Sequence, residues 1–500
     1  MISQYYLKVK KLDFTTGEAL IALLNEEEAY HFGIHAGDKI GLTWRGKKTV
    51  NVEANLSDKR IKPGEIGLYE EVWQKYPVET GEIVEVNVLG RPDSIQAIKK
   101  KLLGHHLNEA DCQAIINDIV SNRISNTEIT YFVAATYMYP YNRDELYYMT
   151  KAVAETGDTI HFKGQVVDKH SVGGIAGNRT TMVIIPIIAS LGLKIPKTSS
   201  RAITSPAGTS DTMEVLAPVT FSIAETMEIV KKTGGCLIWG GGFNLAPSDD
   251  RILKVTYPLS LEPYDKMIVS VMAKKVSTSV NCLIIDMPVG ETAKIPDMAT
   301  AIDLEKRFVY VAKQFGIKIK VLKTKGIDPI GHGIGPSLEA RDVLRVLQRK
   351  DNRPLDLEEK SVRLAGELLE LAGKASKGKG KKMAQEVLES GQAWKKMQEI
   401  IKAQGGKFKV DSEDITIGAV KHYVDAPRSG KVIKTNNKNI NTLCRILGAP
   451  KEKLAGIYLN IEYGDKVKKG ERMFTLYAQN EQRMALAKVA LEKTEIFTIK

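Results

Sequence analysis

Along the first 88 residues apolar and polar side chains alternate between Gly or Asp turns, as in YYLKVKKLDF, DKIGLTWRGKKTVNVEANL and GEIVEVNVLG. A period of two buries one face of a strand, so residues 1–88 predict a small β barrel or sandwich. Gly90, Arg91 and Pro92 interrupt the rhythm. The next segment, DSIQAIKKKLLGHHLNEADCQAIINDIVSNRIS, has helical spacing, with Asn108 placed to cap a helix. A helical domain is expected over 89–163, joined by a later helical segment near 246–277. From 164 to 419, short apolar strands such as VIIPIIA and LIIDMPVG alternate with amphipathic helices such as DLEKRFVYVAKQFG and SLEARDVLRVLQR. That alternation predicts an α/β sheet with helices on its faces. Strand character returns over 420–500, where SGKVIK and IEYGDKVKKGERMFTLYA flank the helical NINTLCRILGAP, as in a compact α+β module. The predicted class is therefore α/β and multidomain: a β domain, a helical domain, a central α/β domain and a C-terminal α+β domain.

Composition narrows the function classes. At 43% hydrophobic and 26% charged over 500 residues, the chain predicts a globular protein with at least one large core. No run reaches ~18 apolar residues and MISQYYLKVKKLDF has no apolar leader, so a cytoplasmic protein without a membrane partner is expected. Cys112, Cys236, Cys282 and Cys444 lie far apart, which argues against disulfides and against a metal site. The net charge of +12 could attract nucleic acid or small anions. No RNA-recognition signature accompanies it, and the richest basic cluster, GKASKGKGKK, is a glycine-loosened loop.

Two segments concentrate anion-binding chemistry. In VVDKHSVGGIAGNRTT, residues 166–181, a strand ending at Val166 and Val167 leads into a loop where Gly173, Gly174 and Gly177 let the backbone approach a ligand. A helix-like run, TTMVIIPIIASLG, begins near Thr180, and free N–H groups at a helix start attract anions. Lys169 adds a charge, and Ser171, Thr180 and Thr181 add hydroxyl donors. The bland alternative is an ordinary strand-to-helix turn. In PKTSSRAITSPAGTSDTMEVLAP, residues 196–218, seven hydroxyls between Thr198 and Ser210 surround Arg201. Hydroxyls with one guanidinium suit tetrahedral oxyanions, and two such segments suggest a site for more than one phosphate.

VDKHSVGG, SSRAITSPAGT and SVMAKK occur in the order found in the thymidine and pyrimidine-nucleoside phosphorylase family, which the chain resembles from about 90 to 500. The resemblance implies that a helical and an α/β domain close over a cleft. It implies inorganic phosphate ligands at Lys169, Ser171, Thr181, Ser199 and Thr209, with Gly174 beside the nucleotide. Ser270 and Lys274, four apart on one helix face, would contact the base. Ser200, Arg201, Ala202, Ile203, Thr204, Ser205 and Thr209 would line the nucleotide, with Lys294 as a further contact or a solvated turn residue.

Three departures are informative. The family's Arg in an LYxxRD stretch is absent, and ILKVTYPLSLEPYDKM stands there with Glu262 before Pro263. TSPAGT replaces HTGGT, and the N-terminal β domain is additional. These features are similar to the archaeal AMP phosphorylase branch. They imply phosphorolysis of AMP, and of other nucleoside 5′-monophosphates such as CMP and UMP, to free base and ribose 1,5-bisphosphate. Glu262 would protonate the leaving base, while His170 would contact base or sugar or pack in the cleft wall. No cofactor or metal is expected, since inorganic phosphate is the co-substrate, and a homodimer or larger homo-oligomer is.

Three rivals stay open at this point. One is a pyrimidine-nucleoside phosphorylase yielding ribose 1-phosphate. Another is an anthranilate-type phosphoribosyltransferase holding magnesium at Asp249 and Asp250. The third is an RNA-binding protein. Trp239 reads as core, and His332 as a turn residue without chemistry.

Overall fold

The computed structural model describes residues 5–17, 19–46, 49–202, 205–256 and 263–500. The chain packs as two compact units, Met1–Thr156 with Ala246–Val269, and Gly157–Leu245 with Ser270–Lys500.

In the first unit the alternating segment forms a closed six-stranded barrel. Its strands are β1 Tyr5–Lys11, β2 Ile21–Asn25, β3 Lys39–Thr43, β4 Val50–Ser57, β5 Glu65–Leu68 and β6 Ile83–Val88, in the order β1-β5-β2-β4-β3-β6. The pairs β1–β5 and β2–β4 are parallel and the other four antiparallel. Closure leaves no free edge, and the period-two side chains Leu7, Val9, Val52, Ala54, Val84 and Val86 fill the interior. The sequence left barrel and sandwich open, and closure decides for the barrel. The helices Ser94–Leu102, Glu109–Val120, Asn126–Met138, Arg143–Glu155 and Pro247–Thr256 follow. Asn108 caps the second of them in a reciprocal box with Asp111. Asn51 Nδ2 donates to Ser121 O at 2.7 Å and Asn122 Nδ2 to Asn51 O at 2.8 Å, so barrel and helices are one packing unit.

In the second unit, β7 Val167–Ser171, β8 Ile195–Ser199, β9 Gly235–Trp239, β10 Cys282–Val289 and β11 Lys318–Lys325 are all parallel to their neighbours. They form the sheet β11-β10-β7 and the pair β8-β9, linked by one bridge between Val166 and Lys194. The sequence offers VIIPIIA both as a strand and, within TTMVIIPIIASLG, as a helix, and the structure corrects the first and bears out the second. The segment lies in the helix Thr180–Ser190, whose residues Met182 to Ala189 are buried in the core with the helices Leu355–Leu371 and Gln392–Ala403. A segment apolar all round carries no periodicity, so a fully buried helix reads like a buried strand. Further strands follow in the C-terminal stretch, and its strand Gly456–Leu459 pairs with Gly333–Ile334 of the α/β region, so this module shares a sheet with the domain that precedes it.

Candidate active site

The site is built where β7 leaves the sheet. The sequence reading ended this strand at Val167, but it runs through the Lys-His-Ser triplet, pairing Asp168 with Leu283 and Ser171 with Asp286. Charged residues tolerate such burial only with partners, and each has them. Asp168 is buried and accepts from Lys197 Nζ of β8 at 3.2 and 3.4 Å and from Lys275 Nζ of the helix Tyr264–Ser277. Lys197 Nζ also donates to Lys169 O at 2.9 Å. On the neighbouring strand Asp286 takes Thr324 Oγ1 at 2.7 Å and Asn178 Nδ2 at 3.1 Å, with Lys169 Nζ at 3.5 Å and Lys360 Nζ at 3.2 Å. Lys169 Nζ also donates to Thr180 Oγ1 at 2.9 Å.

Four lysines therefore converge on two carboxylates. Burial would raise both carboxyls, but Lys197 and Lys275 hold Asp168 below the usual range, and Lys169 and Lys360 do so for Asp286. The surplus appears on the lysines: burial pulls Lys169 down to about 8 and Lys197 down to about 7. His170 feels the same field. Burial first, then the ammoniums of Lys197, Lys275, Lys274 and Lys169, keep its imidazole neutral, and its buried Nδ1 has no hydrogen-bond partner among the described residues.

The hydroxyls named from the sequence divide between two loops. Ser171 Oγ accepts from Asn178 Nδ2 at 3.2 Å, and Thr181 is buried in the first turn of the helix after the glycine loop. Ser199, at the end of β8, shares a 2.5 Å hydrogen bond with Ser210 Oγ, and Thr209 begins the short helix Thr209–Met213. Ser200 is exposed, Ala202 N donates to Asp211 Oδ2 at 2.7 Å and Ser205 Oγ donates to Ala207 O at 3.0 Å. Arg201 directs both Nη atoms to Glu214, at 2.7 and 2.6 Å, and one to Asp211 at 3.3 Å. Its guanidinium also lies 5.1 Å from the ring centroid of Trp239. The hydrogen bonds from Arg201 lower Glu214 to about 2, so this cation already has a carboxylate partner. Ile203, Thr204 and Glu262 lie outside the described residues. Lys274 Nζ donates to Ser270 Oγ at 3.0 Å, on the helical turn where spacing put them together. Gly174 has φ +91°, and a Cβ there would stand 2.3 Å from Lys294 N, which brings these two predicted contacts side by side. Asp249 and Asp250 open the helix Pro247–Thr256 in the first unit. Among the described residues no three His, Cys, Asp or Glu side chains gather with metal-binding spacing, and no helix is long and apolar enough to cross a membrane.

Against known proteins, the chain is 41% identical to the AMP phosphorylase of Pyrococcus furiosus over 98% of its own length and 96% of the relative's. It is 42% identical to that of Thermococcus kodakarensis with the same coverage, and 40% identical to that of Methanocaldococcus jannaschii over 96% and 95%. The chain belongs to the AMP phosphorylase family. Its segments also match the glycosyl transferase family helical bundle domain at 95–157, the a/b domain of that family at 163–394, and the pyrimidine nucleoside phosphorylase C-terminal domain at 431–497. Anthranilate phosphoribosyltransferases from Thermus thermophilus and Saccharomyces cerevisiae share the fold, each with TM-score 0.52, at 18% and 16% identity. They cover 62% and 63% of this chain and 99% of their own.

For a member of the AMP phosphorylase family, the residues that the motifs did not disclose are Asp168, Asn178, Arg179, Lys197, Lys275, Asp286, Glu339 and Lys360. Some left a signal. Asp286 stands alone in the apolar LIIDMPVG and Lys197 in the strand IPKTS, and an ionisable side chain inside a buried strand requires a partner elsewhere.

Proposed function

We propose that the chain catalyses phosphorolysis of AMP by inorganic phosphate, releasing adenine and ribose 1,5-bisphosphate. One observation supports this reading above the others: the buried Lys169, Lys197 and Lys275, with the half-buried Lys360, surround two buried carboxylates beneath loops rich in hydroxyls. A cluster holding more lysines than carboxylates in neighbouring parallel strands suits a small, doubly charged nucleophile. The family's name supplies the other substrate.

A phosphate oxygen attacks C1′ as the bond from C1′ to the base nitrogen breaks, and the electron pair leaves with the base. Lys169, with the hydroxyls of Ser171, Thr181, Ser199 and Thr209, holds the attacking phosphate and contributes orientation. The segment around Gly174, Ser200 to Ser205, Ser270, Lys274 and Lys294 holds the nucleotide. Glu262 supplies the proton that the leaving base needs. No cofactor enters the balance. In this reading the enzyme works in the cytoplasm as a homodimer or larger assembly.

The decisive experiment incubates the protein with AMP and inorganic phosphate and identifies the sugar product. Ribose 1,5-bisphosphate sustains the reading. Ribose 1-phosphate formed from adenosine or a pyrimidine nucleoside, with AMP untouched, would replace it with a nucleoside phosphorylase.

A further inference from the structure

Arg179 is a buried cation that neither the motifs nor the charge surplus accounts for. It stands between Asn178 and Thr180 in the segment that follows β7 and is 9% exposed. Its Nε donates to Glu339 Oε2, Nη1 to Thr209 Oγ1 at 3.1 Å and Nη2 to Ala207 O at 2.6 Å. Glu339, 1% exposed, also accepts from Gly335 N at 3.1 Å and Thr212 Oγ1 at 3.1 Å. Because Glu339 neutralises it, Arg179 adds no net attraction for an anion. What it adds is direction.

A guanidinium carries donors only. A hydroxyl that accepts from it keeps its own proton for a different partner. The contact with Arg179 thus sets Thr209 as a donor, the polarity that a phosphate oxygen requires. The opposite loop repeats the device, since Asn178 Nδ2 donates to Ser171 Oγ at 3.2 Å and leaves the serine proton to point elsewhere. Arg179 belongs to the first loop and both its Nη partners to the second, so one planar fork fixes the spacing between them.

We propose that Arg179 is a positioning residue for the phosphate nucleophile. It joins the loop after β7 to the loop after β8 and presents the Thr209 hydroxyl as a donor, without itself touching phosphate. This rests on the reading that inorganic phosphate binds between those loops.

The test is a kinetic cycle on the full chain, with inorganic phosphate and AMP varied separately and melting temperature measured alongside. Arg179→Lys keeps a charge against Glu339 but loses the fork. It should raise the KM for phosphate ~10-fold or more, as loss of a hydrogen bond in a charged site does, with the KM for AMP changed less than ~2-fold. Thr209→Val should cost about as much and Thr209→Ser much less. In the Thr209→Val background, Arg179→Lys should then change the phosphate KM by less than ~2-fold, because the two act through one hydroxyl. Multiplying losses in the double variant, or equal increases in both KM values, would overturn the assignment. If Arg179→Lys fails to fold, the pair Arg179→Gln with Glu339→Gln removes both charges together and is read by the same criteria. A wild-type protein whose turnover of AMP ignores phosphate overturns the phosphorolysis reading and this proposal with it. Phosphate-dependent turnover with insensitive variants overturns only the role of Arg179.

Discussion

Replacing Asp168 by Asn tests whether charge pairing holds the floor of the site. The substitution is isosteric and removes the carboxylate shared by Lys197 and Lys275, stripping both of that partner while Asp286 keeps Lys169 and Lys360. Removing one partner of a buried ion pair costs about 3–5 kcal/mol, mostly because the other charge is stranded. The second unit has roughly 320 residues, and at ~2.1 cal/mol/K per residue its unfolding entropy is about 0.7 kcal/mol/K. The melting temperature of that unit should therefore fall by about 4–7 °C. The pH dependence sharpens the test. The folded-state pKa of Asp168 is depressed, so its contribution is present above the unfolded value of about 3.9 and lost as pH falls below it. Burial holds Lys197 down to about 7 even beside Asp168, so in the wild type this ion pair is lost as pH rises through that value, while in the variant, without the carboxylate, Lys197 is pushed lower still. The gap between wild type and variant should be widest near pH 6 and should narrow by pH 9. Calorimetric melts of both proteins at the two values measure it. Equal melting temperatures at pH 6, or a gap undiminished at pH 9, would show that the lysines are not paired as described.

The proposed phosphate site predicts a second pH dependence. Lys169 at about 8 and Lys197 at about 7 are only partly charged near neutrality, and an incoming anion raises both, so phosphate binds together with protons and its KM should climb from pH 7 to pH 9. A flat profile in steady-state kinetics would place the anion elsewhere. Lys169→Met and Ser199→Ala should each raise the phosphate KM ~10-fold or more, and unchanged values in both would reduce the glycine loop to an ordinary turn. Gly174→Ala forces a side chain into φ +91° and to 2.3 Å from Lys294 N, so AMP turnover should drop while the barrel's own melting is unaffected. Retained turnover would mean that the turn yields. Glu262→Gln should lower kcat on AMP by ~10²-fold with little change in KM, since a general acid acts in the transition state. Near-full activity would mean that another group protonates the base.

How much of this was legible beforehand depends on how local each signal is. The barrel's alternation, the Asn108 cap and the Ser270–Lys274 pair follow from spacing within one element, and all three appear in the structure. The motif residues of the site came from the resemblance, which concerns the same loops. What spacing could not disclose are partners distant in the chain: Asp168 meets Lys197 and Lys275, and Arg179 meets Glu339, across sequence separations of 29 to 160 residues. Arg201 illustrates the same limit. Beside seven hydroxyls it reads as an anion ligand, yet Glu214, thirteen residues on, occupies both of its Nη atoms. At the end of β7 the apolar run stops at Val167, so the sequence favours a loop for the Lys-His-Ser triplet. The parallel pairing with β10 overrides that preference, since Asp286 and Thr180 satisfy Lys169 there.

The charge surplus also bears on which group protonates the leaving base. A general acid must begin the reaction with a proton it can release. Burial first, and then the four ammoniums around it, hold His170 in the neutral form, and bringing phosphate to Lys169 offsets only part of that field. A neutral imidazole N–H is a hydrogen-bond donor but a very weak acid, so His170 suits orientation of a ligand better than protonation of it. A carboxylic acid differs in the sign of its response. Next to a 5′-phosphate and a nucleophilic phosphate, accumulated negative charge raises a carboxyl pKa and keeps the proton in place until the base nitrogen takes it. The field that keeps His170 neutral thus works against it as the acid, which leaves Glu262 as the proposed donor.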